Sequence, residues 1–457
     1  MKKNDIIELS IDSITNLGFG AGRYCGQVVF CSGAVTGDVV KAKIIKVSKS
    51  YAVGRVENFI KRSSIRTSDR CTIESCHSCA YKEIEYSYEK KLKGEEVKHA
   101  FLKAGLPEVK IAEVVGSPSL TSYRNKAQYP ISKNKDGSYA IGFFAPKSHR
   151  VTEARNCPLA PEVFGRIIDA LEEIFKENSA TVYEEESGEG LLRHIYLRRG
   201  EVSGEVILTL VINADTLPFA DSLVSKITKK FPEVVGILTN TNKENTNVIL
   251  GEKFTLLYGR DYIYDTLAGV ELKITPQSFY QVNHAAATLL YNKARELCAP
   301  TKGDVLLDLF CGAGSIGLSM ADSVGELVGI EIVDSAVLCA RENAKRAGFE
   351  NAYFFTGDAS DVEKLLENAE RELGRKIEPT IIVLDPPRAG CSEEVINYTA
   401  SLAPQRIVYI SCNPTTLARD AALFKKLGYE CGEVTPFDLF AMTGHVESLV
   451  CLTRQTN

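Results

Sequence analysis

The sequence predicts a multidomain chain. A small β-barrel of the oligonucleotide-binding kind comes first, then a central, mostly antiparallel α+β domain, then an α/β domain on a doubly wound parallel sheet. Three observations predict it. Short apolar runs punctuated by glycine fill residues 1–62. Alternating polar and apolar residues dominate from Ser122 to about Gly259. From Gly303 onward, strand-like and helix-like patterns alternate to the end.

A chain of 457 residues has room for two or three domains, and 44% hydrophobic with 25% charged content is that of a soluble globular protein. It carries no long uncharged apolar run, so no membrane span is expected. The start, MKKNDIIELSID, lacks a signal-peptide apolar region. Thirteen cysteines without a secretion signal point to the reducing cytoplasm, and to metal-binding or reactive thiols over disulfides. A net charge of -5 excludes a global cationic field, so any RNA binding would have to come from local basic patches.

In residues 1–62 the runs IIELSID, QVVFCSG, DVVKAKIIKV and YAVGRVENFI are the barrel strands. Lys41, Lys43, Lys46, Lys49, Arg55, Lys61, Arg62, Arg66 and Arg70 stand against only Glu57 and Asp69, an excess suited to phosphates or to a solvated face. Residues 63–268 form the expected central domain. It opens on Cys71-x4-Cys76-x2-Cys79, too tight a cluster for chance core cysteines, and Cys157 is a candidate fourth ligand. Four thiolates suit a structural zinc or a cubane iron–sulfur cluster, and spacing alone does not separate the two. A helix is expected over 80–106. The strands AQYPIS, YAIGFFA, HIYLRRG, EVILTLVI, VVGILTN and NVILGE follow, with helices over 161–178 and 218–231. Tyr123–Lys126 and Lys147–Arg150 mix bases with aromatic rings, as RNA-facing surfaces and ordinary sheet edges both do.

Residues 269–457 carry the most legible pattern. VLLDLFC is followed by the helix SIGLSMA, LVGIEI by SAVLCARENAKRAG, AYFFTGD by DVEKLLENAERELG, TIIVLDPP by SEEVINYTASLA, and RIVYISC by TTLARDAALFKKLG. Final strands are expected near 431–435 and 446–453. This is a Rossmann-like sheet, which binds ligands at the carboxyl ends of its strands. The first strand ends in Asp308-Leu309-Phe310-Cys311-Gly312-Ala313-Gly314, where glycines admit a ligand close to the backbone. The second ends in Glu331, placed to bind ribose hydroxyls. Gly312, Gly314 and Gly317 also fit G-x-G-x-x-G, so a dinucleotide competes with other adenosyl ligands at this point. Asp358 follows the third strand, and Asp385-Pro386-Pro387 ends the fourth. In RIVYISCNP the apolar strand Ile407–Ile410 leads to the thiol of Cys412, and Pro414 suits the first turn of a helix.

These residues carry a resemblance that runs nearly end to end. It covers Gly18–Gly22 in a TRAM-type barrel, the four cysteines, and Tyr123-Arg124-Asn125-Lys126. It continues through Ser278–Asn283, DLFCGAGSIG, LDPPRAG, SCNPTTLARD and Thr443-Gly444-His445-Val446-Glu447-Ser448. The chain resembles the RumA/TrmA family of RNA uracil-C5 methyltransferases, most of all its 23S ribosomal RNA branch (RlmD/RlmCD-like). The resemblance implies a class I methyltransferase domain. It implies that S-adenosyl-L-methionine is bound by Gln281, Phe310, Glu331 and Asp385, and the strand-end reading adds Gly312, Ser315 and Asp358 to these contacts. It implies Cys412 as nucleophile, Glu447 as base, and a [4Fe-4S] cluster on Cys71, Cys76, Cys79 and Cys157 in preference to zinc. It also implies that residues 90–120 pack on the catalytic domain. The chain departs from the family in having one residue fewer between its first two cysteines, and His77-Ser78 in place of Gly-Gly.

The implied partner is RNA, foremost 23S ribosomal RNA, with no membrane and a monomer as the default. A tRNA uracil-C5 methyltransferase is the nearest alternative. An RNA-binding protein with a redox-sensing cluster and an inactive catalytic domain is a second, and a small-molecule methyltransferase a third.

Overall fold

The computed structural model describes the chain except Asp69, Glu74, Ser75, His77, Pro146, Lys147, Thr456, Asn457 and the side chain of Ser360. His77, Asp69 and Lys147, named above, therefore lie outside the described residues. The first 61 residues hold strands Ile6–Ser10, Ser13–Ile14, Phe19–Tyr24, Gln27–Ser32, Val39–Val47 and Tyr51–Lys61, joined in one curled six-stranded sheet. Alternation turns Ile7, Leu9, Val29, Val40 and Ile44 inward. A Cβ on Gly22 would lie 2.1 Å from the Ser10 carbonyl, so only glycine lets the curl bring these strands together. Lys43 pairs with Arg55 in the ladder between Val39–Val47 and Tyr51–Lys61.

The central sheet runs Lys253–Gly259, Val234–Thr241, Val206–Ile212, Leu192–Arg199, Lys126–Lys133, Tyr139–Phe144 and Val151–Glu153 in spatial order. Only Val206–Ile212 and Val234–Thr241 pair parallel. Val206–Ile212 is buried throughout. Helices Glu162–Glu177 and Ala220–Lys230 cover one face with Phe164, Ile167, Leu171, Leu223 and Ile227; each such side chain contributes about 1.5–3 kcal/mol on burial. The run NVILGE, expected as a strand, is a loop. Asn240 exchanges hydrogen bonds with Gly251 (2.7 and 2.8 Å), and the Asn242 amide donates to the carbonyls of Val248 and Ile249. Side chains thus take the backbone groups a ladder would have used.

The carboxyl-terminal sheet runs Ala352–Thr356, Glu326–Glu331, Val305–Leu309, Ile381–Leu384, Arg406–Ser411, Glu447–Arg454 and Tyr429–Cys431. The first five are parallel, and Glu447–Arg454 returns antiparallel to Arg406–Ser411. Strand order reverses beside Val305–Leu309, which opens a crevice above the strand ends. The strand expected at 431–435 is instead split into Tyr429–Cys431 and Thr435–Phe437, both paired to Glu447–Arg454. The helix expected from SIGLSMA is a single turn, Ser315–Leu318. It then tightens, with Met320 N–H donating to Gly317 O (3.0 Å) and Ser319 Oγ to Ile316 O (2.6 Å).

Helix Tyr86–Lys103 begins later than the sequence pattern suggests and packs on helix Pro414–Lys426. Its Val97, Ala100 and Phe101 join one core of the carboxyl-terminal sheet. Residues beyond it extend that sheet: Ala112 N–H donates to Val434 O (2.8 Å) and Val115 N–H to Pro436 O (2.9 Å). The hairpin Ile263–Leu267 and Val270–Ile274 buries both strands in the other core of the same sheet. No helix among the described residues is long and apolar enough to cross a membrane.

Candidate active site

The crevice is built from strand ends. Val305–Leu309 delivers Asp308 into the core and then turns at Phe310, whose φ of +67° is left-handed, a strained setting for a non-glycine residue. Of the three motif glycines only Gly312 faces open space; a Cβ on Gly314 would meet the Phe354 ring at 3.0 Å, and one on Gly317 would meet Leu327 at 2.7 Å and Asp308 at 2.8 Å. Gly314 and Gly317 therefore serve packing, and Gly312 serves access. Its N–H donates to Glu331 Oε2 (3.0 Å), while Val333 N–H donates to Glu331 Oε1 (2.9 Å). Glu331 is thus oriented by backbone and keeps further lone pairs for a ligand. Asp358 lies past the outermost strand, and Gly357 N–H ties that end to Glu331 O (2.9 Å). Ser315 Oγ bonds Tyr291 Oη (3.0 Å) at the start of the short helix.

Gln281 is buried in the link between the hairpin and helix His284–Cys298. Its carbonyl accepts from Asn125 Nδ2 (2.8 Å), and Asn283 caps the helix through Ala286 N–H (3.2 Å). The link thereby joins the central sheet to the crevice wall.

Cys412 and Glu447 are brought together by register. Ser411 pairs with Ser448 in the antiparallel ladder. One step beyond, Cys412 leaves its strand alongside Glu447, which begins the next. Ser411 Oγ accepts from Asn413 N–H (3.1 Å), and Asn413 caps helix Pro414–Lys426 while its amide donates to Arg388 O (3.0 Å). The loop after Asp385 is thus fastened beside the thiol.

The electrostatics are those of crowded, dehydrated carboxyls. Burial pushes Asp385 up to about 7. Burial and the neighbouring Asp385 push Glu447 up to about 8, with Arg388 pulling the other way. Burial raises Asp308 to about 8 against the Gly317 N–H bond, aided by Asp385 and Glu331. The Cys412 thiol is raised by burial and by Glu447, and lowered by Arg388. A half-buried thiol beside a carboxyl poised near neutrality can add to an electrophilic carbon and afterwards move a proton. Asp308 and Tyr291 belong to this site but stood out less in the sequence. Asp308 is readable as a charge within an apolar strand, and its Oδ1 has no partner among the described residues. Tyr291, mid-helix, gave no local signal.

Residues 87–455 match the family model described as tRNA (Uracil-5-)-methyltransferase, and residues 2–56 match the TRAM domain. The chain belongs to this methyltransferase family. An uncharacterized RNA methyltransferase of Clostridium tetani is 37% identical over 456 residues, covering 99% of this chain and 97% of its own. One of Clostridium acetobutylicum is 36% identical over 459 residues, covering 99% and 98%. Among solved structures, the Pyrococcus abyssi tRNA (uracil-54, C5)-methyltransferase, crystallised with S-adenosyl-L-homocysteine, aligns with a TM-score of 0.77 at 25% identity, over 98% of this chain and 100% of that one.

In the methyltransferase, Cys71, Cys79 and Cys157 pack against Tyr123, Leu159, Ala441 and Met442. Burial raises the Cys79 thiol to about 12, and Cys157, Cys76 and Cys71 all add to that rise, which places the other three within the field of Cys79. Among the described residues they are not drawn into a single ligating knot. The donor set nonetheless suits a thiolate-bound metal centre: Arg124 lowers both Cys79 and Cys157, and its Nε, like Tyr129 Oη nearby, has no partner among the described residues.

Two basic groups differ from their sequence reading. Arg66 pairs with Asp38 (2.6 Å) and Glu83, and Arg70 with Glu89 (2.5 Å), so both hold structure and do not face phosphates. Arg124, Lys126 and Arg198 behave oppositely. Burial, Arg198 and Arg124 bring Lys126 down to about 8, and among the described residues none of the three forms an ion pair with a carboxylate. Such a cluster attracts an anion.

Proposed function

We propose that the protein methylates C5 of a uridine in 23S ribosomal RNA, using S-adenosyl-L-methionine and a covalent bond between Cys412 and C6 of the base. The observation that carries the reading is the register that sets Cys412 beside Glu447 at the strand ends nearest Asp385. Uracil C5 is a poor nucleophile until a thiolate adds to C6 and leaves carbanion character at C5. Cys412 supplies that thiolate by losing its S–H proton to solvent, and Arg388 stabilises the charge. Asp385 meets the polar edge of the flipped base, which has left its stack to reach the thiol. The cofactor contributes the methyl group, bound by Gln281, Phe310, Gly312, Ser315, Glu331, Asp358 and Asp385; the carboxyl-rich crevice favours its sulfonium charge. Glu447 then takes the C5 proton, the C6–S bond breaks, and the Cys412 thiolate leaves. Arg124 and Lys126, both partly exposed, hold RNA phosphates, with the buried Arg198 adding positive charge beneath Lys126. Cys71, Cys76, Cys79 and Cys157 hold a [4Fe-4S] cluster, which cross-links the segment and takes no part in methyl transfer.

A tRNA substrate is the second reading. The solved relative that spans 98% of this chain is a tRNA enzyme, so a barrel at the amino end does not by itself argue for ribosomal RNA. Transfer of labelled methyl to unmodified 23S ribosomal RNA and to unmodified tRNA decides the matter. Labelling of 23S RNA alone is expected; labelling of tRNA alone contradicts the substrate assignment, and labelling of neither contradicts the activity.

A further inference from the structure

Glu447 follows a loop, residues 438–446, that closes the pair formed by Thr435–Phe437 and Glu447–Arg454. The loop has little regular structure, yet its backbone groups are claimed from outside. Lys93 Nζ donates to Asp438 Oδ1 (2.6 Å) and to Phe440 O (3.2 Å). Glu89 Oε1 accepts from Met442 N–H (2.8 Å). Tyr123 Oη donates to Ala441 O (2.9 Å), and Tyr81 N–H to Met442 O (2.9 Å). Met442 itself sits at a left-handed φ of +70°, which a methionine adopts only when its surroundings impose it.

The groups that impose it are expensive. Glu89, Lys93 and Asp438 have fully buried side chains, and Lys93 also bonds Glu89 (2.8 Å). A buried ion network of this kind adds little stability over apolar packing; what it provides is one fixed arrangement. Arg70, just before Cys71, closes the network on Glu89 Oε2 (2.5 Å). Tyr81, two residues after Cys79, makes the bond to Met442. The cysteine-bearing segment therefore meets the loop that leads to Glu447 directly at Tyr81 and through Glu89 at Arg70.

We infer that Lys93, Glu89 and Tyr123 are positioning residues for Glu447, clasping the 438–446 loop so that the carboxylate reaches the C5 proton after methyl transfer. This rests on the role proposed for Glu447. Addition of the thiol and transfer of methyl do not use that carboxylate, so loosening the clasp slows release and spares the earlier steps.

The test is Lys93→Met combined with Asp438→Asn. The pair removes one buried cation and one buried carboxylate, leaving Arg70 and Glu89 balanced. Tyr123→Phe, which keeps the ring and deletes the hydroxyl that bonds Ala441, is the milder companion should the double variant not fold. Full-length protein is mixed with RNA and labelled methyl donor, and label is followed into the RNA and into a covalent RNA–protein band on denaturing gels. In the double variant release slows on the order of a hundredfold, the labelled covalent band accumulates, and single-turnover methyl transfer and the KM for RNA stay within about threefold of the parent. Tyr123→Phe shows the same pattern at about tenfold. Parallel loss of transfer and release, or no accumulated band, overturns the inference. Glu447→Gln run alongside separates the two claims: if it traps labelled adduct and the clasp variants do not, the clasp fails alone; if it traps none, the base assignment fails.

Discussion

At the catalytic crevice the carboxyls and the thiol sit on or beside the strands of one sheet, whereas the cysteines of the amino-terminal half sit on segments with little regular structure. Asp308, Glu331, Asp385, Cys412 and Glu447 inherit their places from ladder register. Cys71, Cys76 and Cys79 precede the first long helix, and Cys157 lies in a turn between Val151–Glu153 and Glu162–Glu177. The difference teaches where organisation comes from. A strand-end site is assembled by folding itself, before any ligand arrives. The loop-borne cysteines are held by partners at the edges of their segment, here Arg70, Tyr81 and Arg124, and the cluster proposed for them would supply the remaining organisation.

The sharpest way to break this comparison is at the thiol. Cys412→Ala should bind RNA and methyl donor yet lose turnover by about 10⁴-fold or more, with no covalent complex, since nothing else beside Glu447 can attack C6. Residual methylation near the parent rate, read as labelled RNA, would remove Cys412 from the mechanism. At the opposite region, Cys157→Ser should cost the anaerobically purified protein its brown colour and iron while methyl-donor affinity stays within about threefold, because the crevice is organised without it. A full complement of iron in that variant would strike Cys157 from the ligands.

Glu331→Ala should weaken S-adenosylhomocysteine binding by about 10- to 100-fold in calorimetry, the worth of hydrogen bonds to a charged group. Unchanged affinity would mean that the ribose is held elsewhere. The smallest expected effect is on stability. Asp308 and Glu447 stand near 8 and Asp385 near 7, above ordinary carboxyl values of 3.8 and 4.5. Carboxyls raised in the folded state favour folding while protonated, so their stabilisation is present below about pH 4 and is lost as pH climbs through 7 to 8. The Tm of ligand-free protein should fall between about pH 6 and about pH 9, and Glu447→Gln should fall less, at about 2–4 °C per kcal/mol. An equal slope in both proteins would contradict the dehydrated state of Glu447.

The same contrast decides how much was legible in the sequence. Apolar runs ending in Asp308, Glu331, Asp385 and Cys412 announced a doubly wound sheet and a site along its ends, because strand, turn and helix signals are local. The nearness of Glu447 to Cys412 depends on an antiparallel return after five parallel strands, which no local pattern states. Asn247–Glu252 reads as a strand by composition, and is a loop because Asn240 and Asn242 reach it through space. Arg66 and Arg70 read as surface bases in a charge count, since their partners Asp38 and Glu89 lie 28 and 19 residues away. The clasp on the Glu447 loop was invisible for the same reason: Lys93 and Asp438 are 345 residues apart.

The central claim is that Cys412 acts first and Glu447 last, and Glu447→Gln tests it most directly. The variant is incubated with RNA and labelled methyl donor, denatured and resolved by electrophoresis. The account predicts a covalent RNA–protein band that carries the methyl label, with release slowed on the order of 10²- to 10⁴-fold. Normal turnover, or loss of methyl transfer without any labelled band, would contradict it.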